Sequence, residues 1–107
     1  MQRVMVRYTV KAERAAENER YIEQVFAELA RNAPPAMQYA VFKQDDGVTF
    51  VHVYAQESDE GRGPLPELAA FKAFRAELDE RCEVVPVRTV LLEVGSYRSA
   101  EQPVSLG

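Results

Sequence analysis

Apolar side chains recur at every second position over residues 3–11, with Val4, Val6, Tyr8 and Val10 on one side and Arg3, Met5, Arg7 and Thr9 on the other. This alternation predicts a strand, because successive side chains of an extended backbone point to opposite faces. Over residues 17–32 the rhythm changes. Ile22, Val25, Phe26 and Leu29 follow i, i+3, i+4, i+7, the apolar stripe of a helix, while Glu19, Arg20, Glu23 and Arg31 fall elsewhere. "NAPPA" ends that helix, since proline lacks a backbone donor and pushes the residue before it out of the helical region. Residues 37–44 predict a second strand, "QDDG" a hairpin turn, and residues 48–56 a third strand. "ESDEGRGPLP" is a polar connection rich in glycine and proline. A second helix is predicted over residues 66–82, with Leu68, Phe71, Phe74, Leu78 and Cys82 as its buried stripe and a proline in its first turn. A fourth strand follows over residues 84–94, and the tail from about residue 95 to 107 has little period of its own.

The order strand, helix, strand, strand, helix, strand predicts an α+β, ferredoxin-like βαββαβ fold. Right-handed crossovers place both helices on one side of a four-stranded antiparallel sheet. A chain of 107 residues supports one core, and no linker or low-complexity block divides residues 1–107 into more than one domain.

Two helices cover only one side of such a sheet. The pattern assigns Val4, Val6, Tyr8 and Val10 to the covered side, together with Val51, Val53 and Ala55. The open side is then expected to carry Met5, Arg7, Tyr39, Val41, Phe50, His52, Tyr54, Val87 and Leu91. An apolar patch of that extent is larger than a monomer usually leaves in water. A second copy of the sheet, packed with two-fold symmetry, is the simplest cover, and the chain's own tail is the alternative.

Composition narrows the partners. The net charge is -4 and no basic run appears, which argues against nucleic acid because nothing would neutralise phosphates. No apolar stretch approaches the ~20 residues needed to span a bilayer. The start of the chain, "MQRVMVRYTV", lacks the apolar block of a secretory signal, and one cysteine, Cys82, allows no internal disulfide, so the expected location is the cytoplasm.

The element order, "FVHVYAQ" in the third strand, "LPELAAFKAF" in the second helix and "TVLLEVGSY" in the fourth strand resemble the dimeric α+β barrel superfamily, and most closely its antibiotic-biosynthesis-monooxygenase-like domains. The resemblance implies that two ferredoxin-like sheets pack into a barrel across a homodimer interface. It also implies a tail that reaches onto the partner, and a pocket in each subunit. For activity it implies a cofactor-independent monooxygenase acting on an aromatic or enolisable small molecule, with no cofactor required. The alternative is a barrel of the same shape that binds or stabilises without turnover. Haem-degrading relatives carry a histidine on the second helix, and "ELAAFKAFRAELDERC" has none. Relatives that oxidise polyketide aromatics have tryptophan and asparagine in their pocket pattern. Here there is no tryptophan, and the only asparagines, Asn18 and Asn32, fall outside the strands.

His52, the single histidine, is the candidate catalytic residue, because imidazole can exchange a proton near neutral pH and a deprotonated phenol or enol can react with O₂. A neutral histidine hydrogen-bonded in a half-buried strand is the competing reading. Arg7 and Tyr54 could hold an anionic or phenolic oxygen, by a planar donor fork and a hydroxyl respectively, although Arg7 could equally pair with Glu93. Tyr39 and Phe50 could form aromatic walls for a flat ligand, or simply belong to the core. One histidine and one cysteine, with no carboxylates at ligand spacing, do not compose a metal site.

Overall fold

The computed structural model describes residues 2–56 and 64–97. Strand β1 (Gln2–Val10) leads through a 3-10 turn at Ala12–Arg14 into helix α1 (Ala15–Asn32). Strands β2 (Met37–Lys43) and β3 (Thr49–Gln56) form a hairpin. A 3-10 turn at Leu65–Glu67 then precedes α2 (Ala69–Arg75), α3 (Leu78–Arg81) and β4 (Cys82–Leu91). All neighbouring strands are antiparallel, in the order β2-β3-β1-β4, which is the ferredoxin-like arrangement that the hydrophobic rhythm predicts. Part of the "ESDEGRGPLP" connection and the end of the tail lie outside the described residues. No helix among the described residues is long and apolar enough to cross a membrane.

The punctuation is chemical. α1 stops at Ala33, which takes a left-handed conformation (φ 44) and donates its N–H to the Leu29 carbonyl just before the two prolines. In the β2–β3 turn, Asp46 accepts hydrogen bonds from the Val48 and Thr49 N–H groups and from the Thr49 hydroxyl, while Gly47 supplies the positive φ of 80. The second helix is not the continuous segment that its apolar stripe suggests. It breaks at Glu77, whose φ is 65, into α2 and α3. A continuous helix would give the Phe74 carbonyl to the Leu78 N–H. Here a terminal nitrogen of Arg81 donates to that carbonyl at 2.8 Å. The stripe survives the break, since Leu68, Phe74, Leu78 and Cys82 are all buried.

The register decides which side chains meet. Val4, Val6 and Tyr8 stand opposite Tyr54, His52 and Phe50, and Tyr39 and Val41 stand opposite Tyr54 and His52. Cross-strand partners share a face. Phe50, His52, Tyr54, Tyr39 and Val41 therefore lie under the helices with Val4, Val6 and Tyr8, and not on the open side where the sequence pattern places them. Tyr8 and Phe50, both 1% exposed, stack at 5.7 Å in the centre of the core, against Ile22 and Val25 of α1 and Phe74 of α2. Met5, Arg7, Val87 and Leu91 do occupy the open side, as expected. Val51 and Val53 join them from β3, and Ala40 and Phe42 from β2. The open face is thus still apolar, built from a different half of two strands. Phe42 and Val87 are each 58% exposed on it.

This assignment of faces is testable. Phe50→Ala removes a fully buried ring and is expected to lower the unfolding free energy by ~3–5 kcal/mol in urea denaturation. A loss below about 1 kcal/mol would return Phe50 to the open side.

Candidate functional site

Between the helix-facing side of the sheet and the α2–α3 segment lies a cavity of about 960 Å³. Tyr8, Tyr39, His52 and Tyr54 line it from the sheet, and Leu65, Phe71 and Phe74 from the helical side. Arg75, Glu77 and Arg88 are among the charged residues at its edge. Mostly apolar walls with a few converging polar atoms are the usual construction of a small-molecule site.

The polar atoms form one chain. Tyr8 stands two residues along β1 from the position opposite His52, and Tyr39 two residues along β2, so both are diagonal neighbours of the imidazole on the same face. Diagonal pairs are separated by ~7–8 Å, within reach of a tyrosine ring. The Tyr8 hydroxyl lies 2.8 Å from Nε2 of His52, and the Tyr39 hydroxyl 2.8 Å from Nδ1. Behind Tyr8, the Asn18 amide nitrogen donates to the Tyr8 oxygen at 2.9 Å, and Nε of Arg81 donates to the Asn18 Oδ1 at 3.1 Å. α1 brings Asn18 there because it sits one turn before Ile22 on the buried stripe. Five side chains from five elements are joined in this way.

Burial governs their ionisation. His52 is 6% exposed, and desolvation pushes its pKa down from 6.5 to about 4, so the ring is neutral at pH 7. Burial also pushes the Tyr8 phenol well above its ordinary range, against the opposing pull of the Asn18 hydrogen bond and the Arg81 charge. Tyr39 is raised for the same reason, with Tyr8 adding to the effect. The site therefore keeps two neutral phenols and one neutral imidazole. Both ring nitrogens of that imidazole are already engaged, which is not the arrangement of a base waiting near neutral pH.

Of the sequence-predicted residues, the fold brings His52, Tyr39 and Tyr54 together at the cavity. It does not bring Arg7, which lies on the opposite face of the sheet beside Val51 and Val87 and donates to Gln44 Oε1 at 3.5 Å. The expected partner of Arg7, Glu93, instead pairs with Arg3 at 3.4 Å. Phe50 does not wall the cavity either; it is core beneath Tyr8. Cys82 is buried, and desolvation raises its thiol pKa. Asn18 and Arg81 escape a motif search, yet a signal for both exists. Each is a polar residue in line with an apolar helical stripe, and such a residue is informative because it must be satisfied when buried.

Above pH 6.5, His52 is neutral in both folded and unfolded chains. Between pH 6.5 and about 4 the unfolded chain binds a proton that the folded chain refuses, so stability falls as pH falls through that window. The expected loss is ~2 kcal/mol, measured as urea unfolding at pH 7 against pH 4.5. The carboxylates with depressed pKa, Glu17 and Asp46, act at lower pH. His52→Phe is expected to flatten the slope, and an equally steep slope in that variant would show that the imidazole is not buried neutral.

No protein-family model matches the chain, and no curated protein matches it in sequence. Solved structures do match it in shape. A crystal structure of an antibiotic biosynthesis monooxygenase superposes with a TM-score of 0.73 at 11% identity, covering 89% of this chain and 100% of that one. A protein of unknown function from Nitrosomonas europaea gives a TM-score of 0.69 at 18% identity, over 92% and 94% of the two chains. SnoaB, a cofactor-independent oxygenase from Streptomyces nogalater, gives 0.67 at 14% identity, over 92% and 97%. At such identities the likeness is one of fold. The chain has the ferredoxin-like α+β fold of the solved antibiotic biosynthesis monooxygenases.

Proposed function

We propose that the cavity binds a flat, largely apolar compound bearing a ketone or enol, and that the protein oxidises it with O₂ and no bound cofactor, as a homodimer in the cytoplasm. The observation that carries this reading is the Asn18–Tyr8–His52–Tyr39 chain, which delivers a phenolic hydroxyl to an aromatic-lined cavity. A neutral donor at that point stabilises the enolate oxygen that appears when the substrate loses its α-proton to water at the cavity mouth. His52, with both nitrogens occupied, orients and polarises Tyr39 instead of taking the proton itself. The carbanion passes one electron to O₂, and the resulting superoxide and carbon radical combine to a peroxide. The peroxide loses water with the second α-hydrogen, so that a CH₂ group and O₂ become a carbonyl and H₂O. All four electrons come from substrate.

Binding without turnover is the second reading. It is favoured by the imidazole's occupied nitrogens and its pKa near 4, since no group at the polar end is poised as a base. Oxygen uptake with anthrone separates the two. Turnover above the spontaneous rate is expected, falling ~10²–10³-fold in kcat/KM for Tyr39→Phe with the melting temperature retained. Saturable ligand-induced thermal stabilisation with no added oxygen uptake would make the protein a binder.

The apolar open face, with Met5, Val51, Val53, Phe42, Val87 and Leu91, supports the homodimer. Light scattering at micromolar concentration is expected to give twice the chain mass; a folded monomer would refute the barrel.

A further inference from the structure

Arg81 is fully buried, and a guanidinium has donors only. Its charge lies over the Tyr21 ring at 4.5 Å and near the Phe74 ring at 5.5 Å. Among the described residues no carboxylate lies within ion-pair distance of it. Its hydrogen bonds go instead to neutral groups, the Asn18 amide oxygen and the Phe74 carbonyl.

Those groups settle one another in turn. Because Nε of Arg81 can only donate, the Asn18 atom facing it is Oδ1, and the amide NH₂ faces Tyr8. The Tyr8 oxygen thus accepts from Asn18, and its single hydrogen goes to its other partner, Nε2 of His52. With Nε2 accepting, the neutral ring carries its hydrogen on Nδ1 and donates it to the Tyr39 oxygen. The Tyr39 hydrogen then has no acceptor among the described residues, and Tyr39 lines the cavity. The reversed chain would strand the hydrogen of Tyr8, which is 1% exposed, and a buried unpaired donor is the costlier arrangement.

We infer that Arg81, acting through Asn18, sets the direction of the whole chain, so that the cavity ends in a donor, the Tyr39 hydroxyl, and selects ligands presenting a carbonyl or enolate oxygen over ligands presenting only a hydrogen. The inference rests on the cavity being a ligand site but not on any turnover there. Arg81 and Asn18 are positioning residues in it, and Tyr39 is the group that touches the ligand.

Long-range ¹H–¹⁵N spectra of the wild-type protein at pH 7 are expected to show His52 as the Nδ1–H tautomer; the Nε2–H tautomer would overturn the proposal. Asn18→Asp puts an acceptor-only group before Tyr8, so Tyr8 donates to the new carboxylate and accepts from His52, and the tautomer is expected to switch to Nε2–H. An unchanged tautomer in a folded Asn18→Asp protein would show that the direction is set elsewhere. Two rigid bicyclic probes of matched size read the consequence: 1-indanone, which only accepts, and indole, which only donates. Wild type is expected to bind 1-indanone about tenfold more tightly than indole, and Tyr39→Phe to abolish the preference. Equal affinities in wild type, or a preference surviving in Tyr39→Phe, would overturn the assignment. Should Asn18→Asp fail to fold, the wild-type tautomer and the Tyr39→Phe comparison decide the question. Loss of anthrone oxidation alone would leave these spectra and affinities unchanged, so the two readings fail separately.

Discussion

A neutral imidazole held between two phenols beneath a pair of helices is the interaction on which the site depends. Burial removes the charged form of His52 from consideration, and the two tyrosines supply the hydrogen bonds that a buried neutral ring needs. Each member of that trio satisfies the next, and none is free to titrate near pH 7. The consequence for chemistry is that the polar end of the cavity works as a fixed dipole. Oriented neutral donors need no reorganisation when charge develops nearby, which is why such an end suits an oxygen that turns negative.

The guanidinium of Arg81 is the other unusual element. A charge this deep normally carries a carboxylate with it. Here the ring faces of Tyr21 and Phe74, the Phe74 carbonyl and the Asn18 amide take that role. The break between α2 and α3 belongs to the same arrangement. Releasing the Phe74 carbonyl from the helical ladder makes it available to Arg81, so a backbone irregularity and a buried charge support each other.

The sheet's two faces perform different work. The helix side carries the aromatic core and the cavity, while the open side carries Met5, Val51, Val53 and Phe42, apolar groups that no helix among the described residues covers. This separation leaves the cavity-lining residues and the apolar residues of the open face on opposite sides of the same four strands.

Element types and order are legible in the chain because periods of two and of 3.6 are local properties, and proline and glycine mark their ends where the backbone cannot continue. The covered face of β1 is legible for the same reason, since Arg3 and Arg7 contrast with Val4, Val6 and Tyr8. In β3 both alternating sets are apolar or aromatic, so alternation alone cannot say which set goes inward. One residue of register exchanges the faces completely. Pairing with β1 makes that choice, and with it the fates of Phe50, His52, Tyr54, Tyr39 and Arg7. The partners of His52 are equally beyond local reading, because Tyr8, Tyr39, Asn18 and Arg81 come from four other elements and meet only once the sheet is closed under its helices. The amino-acid order by itself determined an α+β ferredoxin-like chain with one histidine on its third strand. Only the tertiary structure decided that this histidine is buried, neutral and joined to a cavity, because hydrogen bonding and desolvation depend on neighbours in space.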